Sequence, residues 1–377
     1  MSRRDIRFLM RHSDPYDLPG TDEWFWRAMK ANALAQAKGC PDYQRILEEA
    51  HFHPDSIQSM EDLVHLPVLP TLYLKHHELL SMPQWKLLIK ATSSGTSNGL
   101  KSKLGFDCRS LLRGATMIHR LFRVHHLWSF RPVVYAIFGY EPHKDNQVVI
   151  AKSTYGFTFL TPARKRVYAL RWTKEGYQLD LEGMKQALIQ ADAKQIPVRT
   201  AGFPAYTYFL LQQMQQEGIR LHLPKGSKVT VGGGWKQFYT EQVDKASFYR
   251  LVEEVLGIPE ADCVEFFSAV EHPIVYIDCR HHHFHVPIYS RVIIRDPDTL
   301  EPLPPGQVGL INLLTPLVDS APLLSVMTDD LGILHTEGCP CGETSPWLEV
   351  LGRVGVHDVV TCAQGAETLL TKGEEEV

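Results

Sequence analysis

Between residues 110 and 256 the sequence keeps passing between short apolar runs and amphipathic helical patterns, and this alternation narrows the possible folds more than any other feature. SLLRGATMIHRLFRV (110–124) reads as a helix. RPVVYAIFGY, with Val133, Val134, Ala136 and Ile137, reads as a buried strand. VRTAGF then runs into AYTYFLLQQMQQEG, and SKVTVGGG into QFYTEQVDKASFYRLVEEVLG. Such βα successions build a mostly parallel sheet covered by helices. After Phe266 the texture changes: FHVPIYSRVIIRDPDTLEPLPPGQVGLINLLT has strand patterns broken at short intervals by turn residues. This predicts a β subdomain with antiparallel pairing over about 270–345. Residues 1–80 read as mainly helical. Asp22 and Glu23 open a helix carrying Trp24, Trp26, Met29, Leu34 and Ala35, while Pro67 and Pro70 mark a linking segment. The expected class is α/β, with mixed, mostly parallel sheets and a strand-rich subdomain.

Composition excludes several roles. A net charge of -4 with no long basic run gives no electrostatic footprint for nucleic acid. No uninterrupted apolar stretch approaches the ~18 residues of a membrane span. The N-terminus, MSRRDIRFLMRHSDPYD, lacks the apolar core of a signal peptide. Seven scattered cysteines, an odd number, do not make a disulfide framework, so a reducing cytoplasm is the expected compartment.

The most informative stretch is KLLIKATSSGTSNGLKS, an apolar run ending in a glycine, serine and threonine loop. Glycine lets backbone approach an anion, hydroxyls and backbone N–H groups donate to phosphate oxygens, and Lys101 adds positive charge. The spacing is not that of a Walker loop. Its bland alternative is a flexible surface turn.

SSGTSNGLKS resembles the phosphate loop of the acyl-adenylate-forming superfamily, which includes acyl-CoA synthetases, phenylacetate-CoA ligases and LuxE-type acyl-protein synthetases. Further motifs follow in the same order: VTVGGGWK resembles the glycine-rich segment beside adenine, FFSAVEHP the aromatic-Gly-x-[ST]-Glu motif, MTDDLG the Thr-Gly-Asp-Leu-Gly motif, and LGR the Gly-Arg before the hinge. The resemblance implies a large adenylate-forming domain over 1–353. It implies that Ser94, Gly95, Thr96, Ser97, Gly99 and Lys101 cradle the phosphates of ATP. Gly233 and Gly234 would pack against adenine and Phe267 would stack on its other face. Glu271 would hold Mg²⁺, Asp330 would accept from the ribose hydroxyls, and Arg353 would contact ribose or phosphate. The sequence departs from the pattern at Asn98, an insertion, at Ser268 and Asp329, which replace glycines, and at Val270, which replaces a Ser or Thr.

Within the superfamily the LuxE branch is indicated twice. Only residues 354–377 follow Arg353, where acyl-CoA synthetases are expected to continue into a mobile C-terminal domain. Cys362, in VVTCAQGAETLL, resembles the acylated cysteine of that branch. A thiolate there would displace AMP from the acyl-adenylate and keep the acyl group as a thioester. The implied substrate is a fatty or other apolar carboxylic acid, and the implied partner an acyl reductase or acyltransferase. Phe203, Tyr206 and Tyr140 are candidates for the acyl pocket. The competing readings are an acyl-CoA ligase of the phenylacetate type and a non-catalytic nucleotide or acyl binder.

Thiolate and imidazole donors also occur in a pattern suited to structural Zn²⁺: Cys279, His285, and the Cys339-Pro340-Cys341 pair in a glycine-flanked turn, with His335 as an alternative ligand. The bland alternative is an unmetallated turn beside a solvated histidine-rich hairpin.

Overall fold

The computed structural model describes residues 2–92, 102–144, 149–235, 238 and 241–353. In chain order its main elements begin with α1 (Ser2–Arg11), α2 (Asp22–Gly39), α3 (Pro41–Glu49), β1 (Leu69–Pro70), α4 (Thr71–His76), β2 (Leu87–Thr92), β3 (Lys103–Asp107) and α5 (Cys108–Val124). The middle of the chain supplies β4 (Val133–Tyr140), α6 (Val149–Phe157), β5 (Ala163–Thr173), β6 (Gly176–Leu179), α7 (Leu181–Ala193), β7 (Val198–Gly202), α8 (Pro204–Gln216), β8 (Val229–Gly232) and α9 (Lys245–Leu256). Then come β9 (Cys263–Ala269), β10 (His272–Ile277), β11 (Phe284–His285), β12 (Arg291–Arg295), β13 (Val308–Leu314), β14 (Ser325–His335) and β15 (Trp347–Arg353). Among the described residues no helix is long and apolar enough to cross a membrane.

The chain divides into two compact units. Unit 1 takes residues 1–115, 269–274 and 283–377; unit 2 takes 116–268 and 275–282.

Unit 2 holds the βα succession. β4 pairs in parallel with β5 on one side and β7 on the other, and β6 adds to β5 as an antiparallel edge. Side chains alternate along β4. Val134, Ala136 and Phe138 join α7, α8 and α9 in one core, where Met184, Leu210, Met214 and Val252 are fully buried. Tyr135 and Ile137 face the other way, packing with Tyr168 of β5 and Tyr155 of α6. Each large apolar side chain so buried contributes about 1.5–3 kcal/mol. β8 pairs in parallel with β9, with Gly232 opposite Phe266. The helical pattern after VGGG contains α9, capped by Asp244, whose carboxylate accepts from the Ser247 N–H.

Unit 1 is the strand-rich part. Its sheet runs in the order β11–β15–β14–β13–β12, antiparallel throughout, with β1 added in parallel to β14. β2 and β3 form a separate antiparallel hairpin in which Thr92 faces Lys103, so the glycine loop joins two strands rather than a strand and a helix. α5 begins just after β3 because Asp107 caps it, accepting from the Arg109 N–H at 3.0 Å and from the Ser110 hydroxyl. The N-terminal helices are tied in by Arg291, which pairs with Asp22 at 2.6 Å and lies over the Phe25 ring.

Gly202 ends β7 with φ +133°, and a Cβ there would lie 2.2 Å from the Phe138 carbonyl oxygen. That carbonyl already accepts from the Phe203 N–H at 2.9 Å, so it cannot retreat without breaking the end of the ladder. Gly202→Ala should therefore lower unfolding free energy by about 2–3 kcal/mol in urea denaturation. An unchanged midpoint would show that the end of the β4–β7 ladder relaxes at no cost.

Candidate functional site

In unit 1 a buried carboxylate stands beside the base of the glycine loop. Val270 and Glu271 make the two-residue turn between β9 and β10, and Glu271 is only 5% exposed. Its Oε1 accepts from the hydroxyl of Ser102, the residue that follows Lys101 and precedes β3. A desolvated carboxylate is costly unless it is hydrogen-bonded or paired, and Ser102 supplies one donor. His272 carries the turn into β10, fully buried, with Nε2 3.0 Å from the Ser290 hydroxyl. Burial pulls its pKa down to about 3, so the ring is neutral at physiological pH.

Asp330 and Arg353 face each other across β14 and β15. The Asp330 N–H donates to the Thr328 hydroxyl at 3.2 Å. Its neighbour Asp329, which replaces the expected glycine, accepts from the Thr71 hydroxyl at 2.8 Å and from Lys75 Nζ at 3.2 Å. That aspartate therefore fastens α4 to β14, a structural use for the departure.

The ligand atoms of His285, Cys339 and Cys341 lie within 4.8 Å of one another in unit 1. His285 Nε2 is 3.3 Å from Cys341 Sγ, while its Nδ1 faces the Ser345 carbonyl at 3.2 Å. A backbone acceptor at Nδ1 fixes the tautomer that leaves Nε2 as a ligand. Two thiols and an imidazole are a donor set that suits Zn²⁺. His335 is engaged elsewhere: Nδ1 meets Glu337 at 2.8 Å, Nε2 meets Glu349 at 2.9 Å, and its ring stacks on Trp347. Cys279 sits in a tight turn counted with unit 2, where its sulfur accepts from the His281 N–H at 3.4 Å.

In unit 2, Gly233 and Gly234 follow β8 with φ of +81° and +68°, a left-handed pair that only glycine adopts readily. The chain thus leaves β8 at the level of Phe266 and Phe267 on β9. Successive side chains alternate, so the two phenylalanines point to opposite faces. Phe266 stacks on Phe122, with ring centroids 5.6 Å apart, and Phe267 lies 5.7 Å from Tyr276. Tyr140, Phe203 and Tyr206 do come together, in edge-on contacts at 6.3 and 6.0 Å.

Ser94, Gly95, Thr96, Ser97, Gly99, Lys101 and Cys362 lie outside the described residues, as does the Arg353 side chain. The sequence offers little reason to single out His272, whose only signal is its place next to Glu271 in an otherwise apolar strand.

The described geometry accords with the likeness to known proteins. A family profile described as "Acyl-protein synthetase, LuxE" matches residues 2–371. A protein named long-chain-fatty-acid–luciferin-component ligase from Aliivibrio fischeri is 23% identical over 321 residues, covering 84% of this chain and 81% of the relative. Its namesake from Vibrio harveyi is 26% identical, covering 81% and 78%. A phenylacetate-coenzyme A ligase from Thermus thermophilus is 25% identical, covering 83% and 66%. Among solved structures, a 2-hydroxyisobutyryl-CoA ligase with 2-HIB-AMP and CoA superposes with a TM-score of 0.68 at 18% identity, covering 90% of this chain and 70% of that one. At that identity the likeness establishes the adenylate-forming ligase fold.

The neutral His272 sets a pH dependence. Its pKa is about 3 in the folded chain and near 6.5 once exposed, so below pH 6.5 the unfolded state takes up a proton that the folded state does not. This contribution to stability is complete above pH 6.5 and declines as pH falls toward 3, with a slope of up to ~1.4 kcal/mol per pH unit. Urea titrations at neutral and mildly acidic pH should show wild type losing more stability than His272→Gln. Parallel losses in the two proteins would mean that the ring is protonated in the folded state.

Proposed function

The chain belongs to the LuxE family of acyl-protein synthetases and is an ATP-dependent ligase; from that premise we propose that it converts a carboxylic acid, most plainly a fatty acid, into an acyl-adenylate and then a protein-bound thioester. A carboxylate oxygen of the acid attacks the α-phosphorus of ATP, and the bond to the bridging β-phosphate oxygen breaks. Pyrophosphate departs with that bond's electron pair, leaving acyl-AMP. The thiolate of Cys362 then attacks the acyl carbon, AMP departs, and the acyl group is held as a thioester ready for a partner acyl reductase or acyltransferase.

The observation that supports the first step is the Ser102–Glu271 pair, a buried carboxylate tied to the base of the glycine loop. Mg²⁺ arriving with the nucleotide would neutralise phosphate charge. Glu271 is its proposed ligand, held ready by Ser102 so that little reorganisation is needed as charge builds on the leaving group. Ser94, Gly95, Thr96, Ser97, Gly99 and Lys101 are proposed to cradle the phosphates. Gly233, Gly234 and Phe267 would hold adenine, and Asp330 and Arg353 the ribose side. The aromatic group of Tyr140, Phe203 and Tyr206 is a proposed wall of the acyl pocket.

Intact mass and pyrophosphate release, measured with ATP, Mg²⁺ and a panel of acids, test both steps. Glu271→Ala should lower acid-dependent pyrophosphate release by at least ~100-fold. Cys362→Ser should still release pyrophosphate but gain no acyl mass that hydroxylamine removes. If Glu271→Ala keeps the wild-type rate, the nucleotide site is misplaced. If Cys362→Ser is still acylated, or a stable product needs coenzyme A, the acyl-CoA ligase reading replaces the acyl-protein one.

Zn²⁺ is proposed at His285, Cys339 and Cys341, with Cys279, six residues before His285 in the sequence, as the fourth ligand. When bound it would close a structural site and take no part in acyl transfer. Purified protein should contain about one equivalent of zinc. Cys339→Ser with Cys341→Ser should lose the metal and melt at lower temperature. Metal-free wild type that melts at the same temperature with and without added zinc would remove the site.

A further inference from the structure

The adenylation chemistry leaves one buried charge in unit 2 without a task. Arg199 lies on β7 opposite Tyr135 of β4 and is 5% exposed. One of its terminal nitrogens donates to the Leu127 carbonyl. Among the described residues its Nε–H has no hydrogen-bond partner, and no carboxylate pairs with the guanidinium. Asp262, the acid whose charge it feels, is bound by Lys228 at 2.5 Å. Arg295, buried to the same 5%, shows how this chain otherwise satisfies a buried guanidinium. Its Nε donates to the Asn312 side chain at 2.9 Å, and its two terminal nitrogens donate to the carbonyls of Leu300 and Val64 at 2.9 and 2.7 Å. A buried cation with donors left over is costly, and burial lowers the Arg199 pKa from its ordinary value.

The unmet donor borders a space. Arg199 lines a cavity of about 20 Å³ together with Phe122, Tyr135, Phe157, Thr158 and Phe266. That is somewhat above the ~10–15 Å³ that admits a water, so it has room for a terminal oxygen-bearing group but not for a chain. Four of its ten lining residues are aromatic. Phe266 stacks on Phe122, and Phe157 meets Phe266 edge-on at 6.0 Å. Thr200 and Thr230 are satisfied by each other, the Thr230 hydroxyl donating to the Thr200 carbonyl at 2.5 Å and its N–H to the Thr200 hydroxyl at 3.1 Å. The guanidinium is therefore the wall group with donors to spare.

We propose that this cavity is a subsite for an anionic oxygen, received by Arg199 beside the rings of Phe122, Phe157 and Phe266. Phe266 lines the cavity while the next residue, Phe267, points to the other face of β9, so the cavity lies across the strand from the proposed adenine contact. On the adenylation reading, on which this source of the oxygen rests, the oxygen belongs to the far end of the acid substrate. The acid is then bifunctional, with one carboxylate activated and a second acidic group held by Arg199. The same chemistry is offered by a free small carboxylate that fills the cavity independently of the substrate.

Two measurements on the full chain decide the matter. Acid-dependent pyrophosphate release is compared for octanoate, dodecanoate and hexadecanoate and for the matching α,ω-dioates, in wild type and Arg199→Met. Melting temperature is followed in both proteins against sodium acetate at constant ionic strength. A kcat/KM at least ~10-fold higher for a dioate than for its monoacid, as expected for a hydrogen bond to a charged group, and a ratio falling to near one in Arg199→Met, identify the acid as the source. A saturable rise in melting temperature with acetate in wild type alone, without dioate preference, identifies a free carboxylate. If wild type shows neither effect, the subsite is overturned and Arg199 is only a strut to Leu127. The subsite is equally overturned if Arg199→Met keeps whichever effect wild type shows. If no acid releases pyrophosphate, the adenylation reading fails by itself, and the acetate series still decides the subsite. Should Arg199→Met fail to fold, Arg199→Lys and the two wild-type effects decide between the same outcomes.

Discussion

Glu271 sits nearly dry at the tip of the β9–β10 turn, beside the hydroxyl of Ser102. The arrangement fixes two things at once. Ser102 stands at the foot of the β2–β3 hairpin, so the bond sets the base of the glycine loop against the turn that carries the carboxylate. Neutral His272, bonded to Ser290, holds the next residue of the turn without adding charge. A carboxylate meant for a cation must stay ionised, oriented and shielded from water, and these demands conflict unless a donor replaces the lost solvent. Ser102 offers a hydroxyl donor to one carboxylate oxygen, an arrangement compatible with the proposed role of Glu271 as a cation ligand.

Periodicity made much of the scaffold legible. β4, β7 with α8, and β8 were readable because apolar side chains recur at spacings of two or of three to four residues, and each is covered by neighbours in the fold. The β5–β6 hairpin is not readable: ARKRVYALRWT carries charge near both ends, where the strand is exposed, and only Tyr168, Ala169 and Leu170 in its middle are buried, so no period-two pattern shows. The sequence places the glycine loop after a strand, but the return into β3 is hidden in it, because KLGFD is short and its register depends on the partner strand. The start of α5 lay two residues before the expected one, set by the Asp107 cap.

The candidate site was legible to the extent that its chemistry is local in sequence. His285, Cys339 and Cys341 declared themselves by residue type, and they meet across the β11–β15 edge. Asp329 read as a departure from a glycine, and only the position of α4 shows that Thr71 and Lys75 receive it. Arg199 is a lone cation inside the apolar run VRTAGF. Its meaning depends on which acceptors surround it, and neither Leu127 nor Tyr135 can be placed beside it without the sheet.

The turn proposed to ligate zinc and the residues proposed for the ribose side belong to one hairpin, and this gives the proposed zinc a reason to matter for the nucleotide. Cys339 and Cys341 lie in the connection between β14 and β15, and His285 on β11 faces Trp347 at the start of β15. Where β15 ends, Arg353 faces Asp330 in the middle of β14, just beyond an irregularity between Leu331 and Gly332. A one-residue slip in a strand pair moves every side chain to the opposite face. The Trp347 ring, stacked between His283 and His335, already resists such a slip. A metal bridging the turn to β11 would fix the register from outside the hairpin as well, because neither strand could shift without pulling a ligand away. Long-range order in Asp330 and Arg353 would then rest on chemistry at the far end of their strands, which explains why a cluster with no catalytic task would sit where it does.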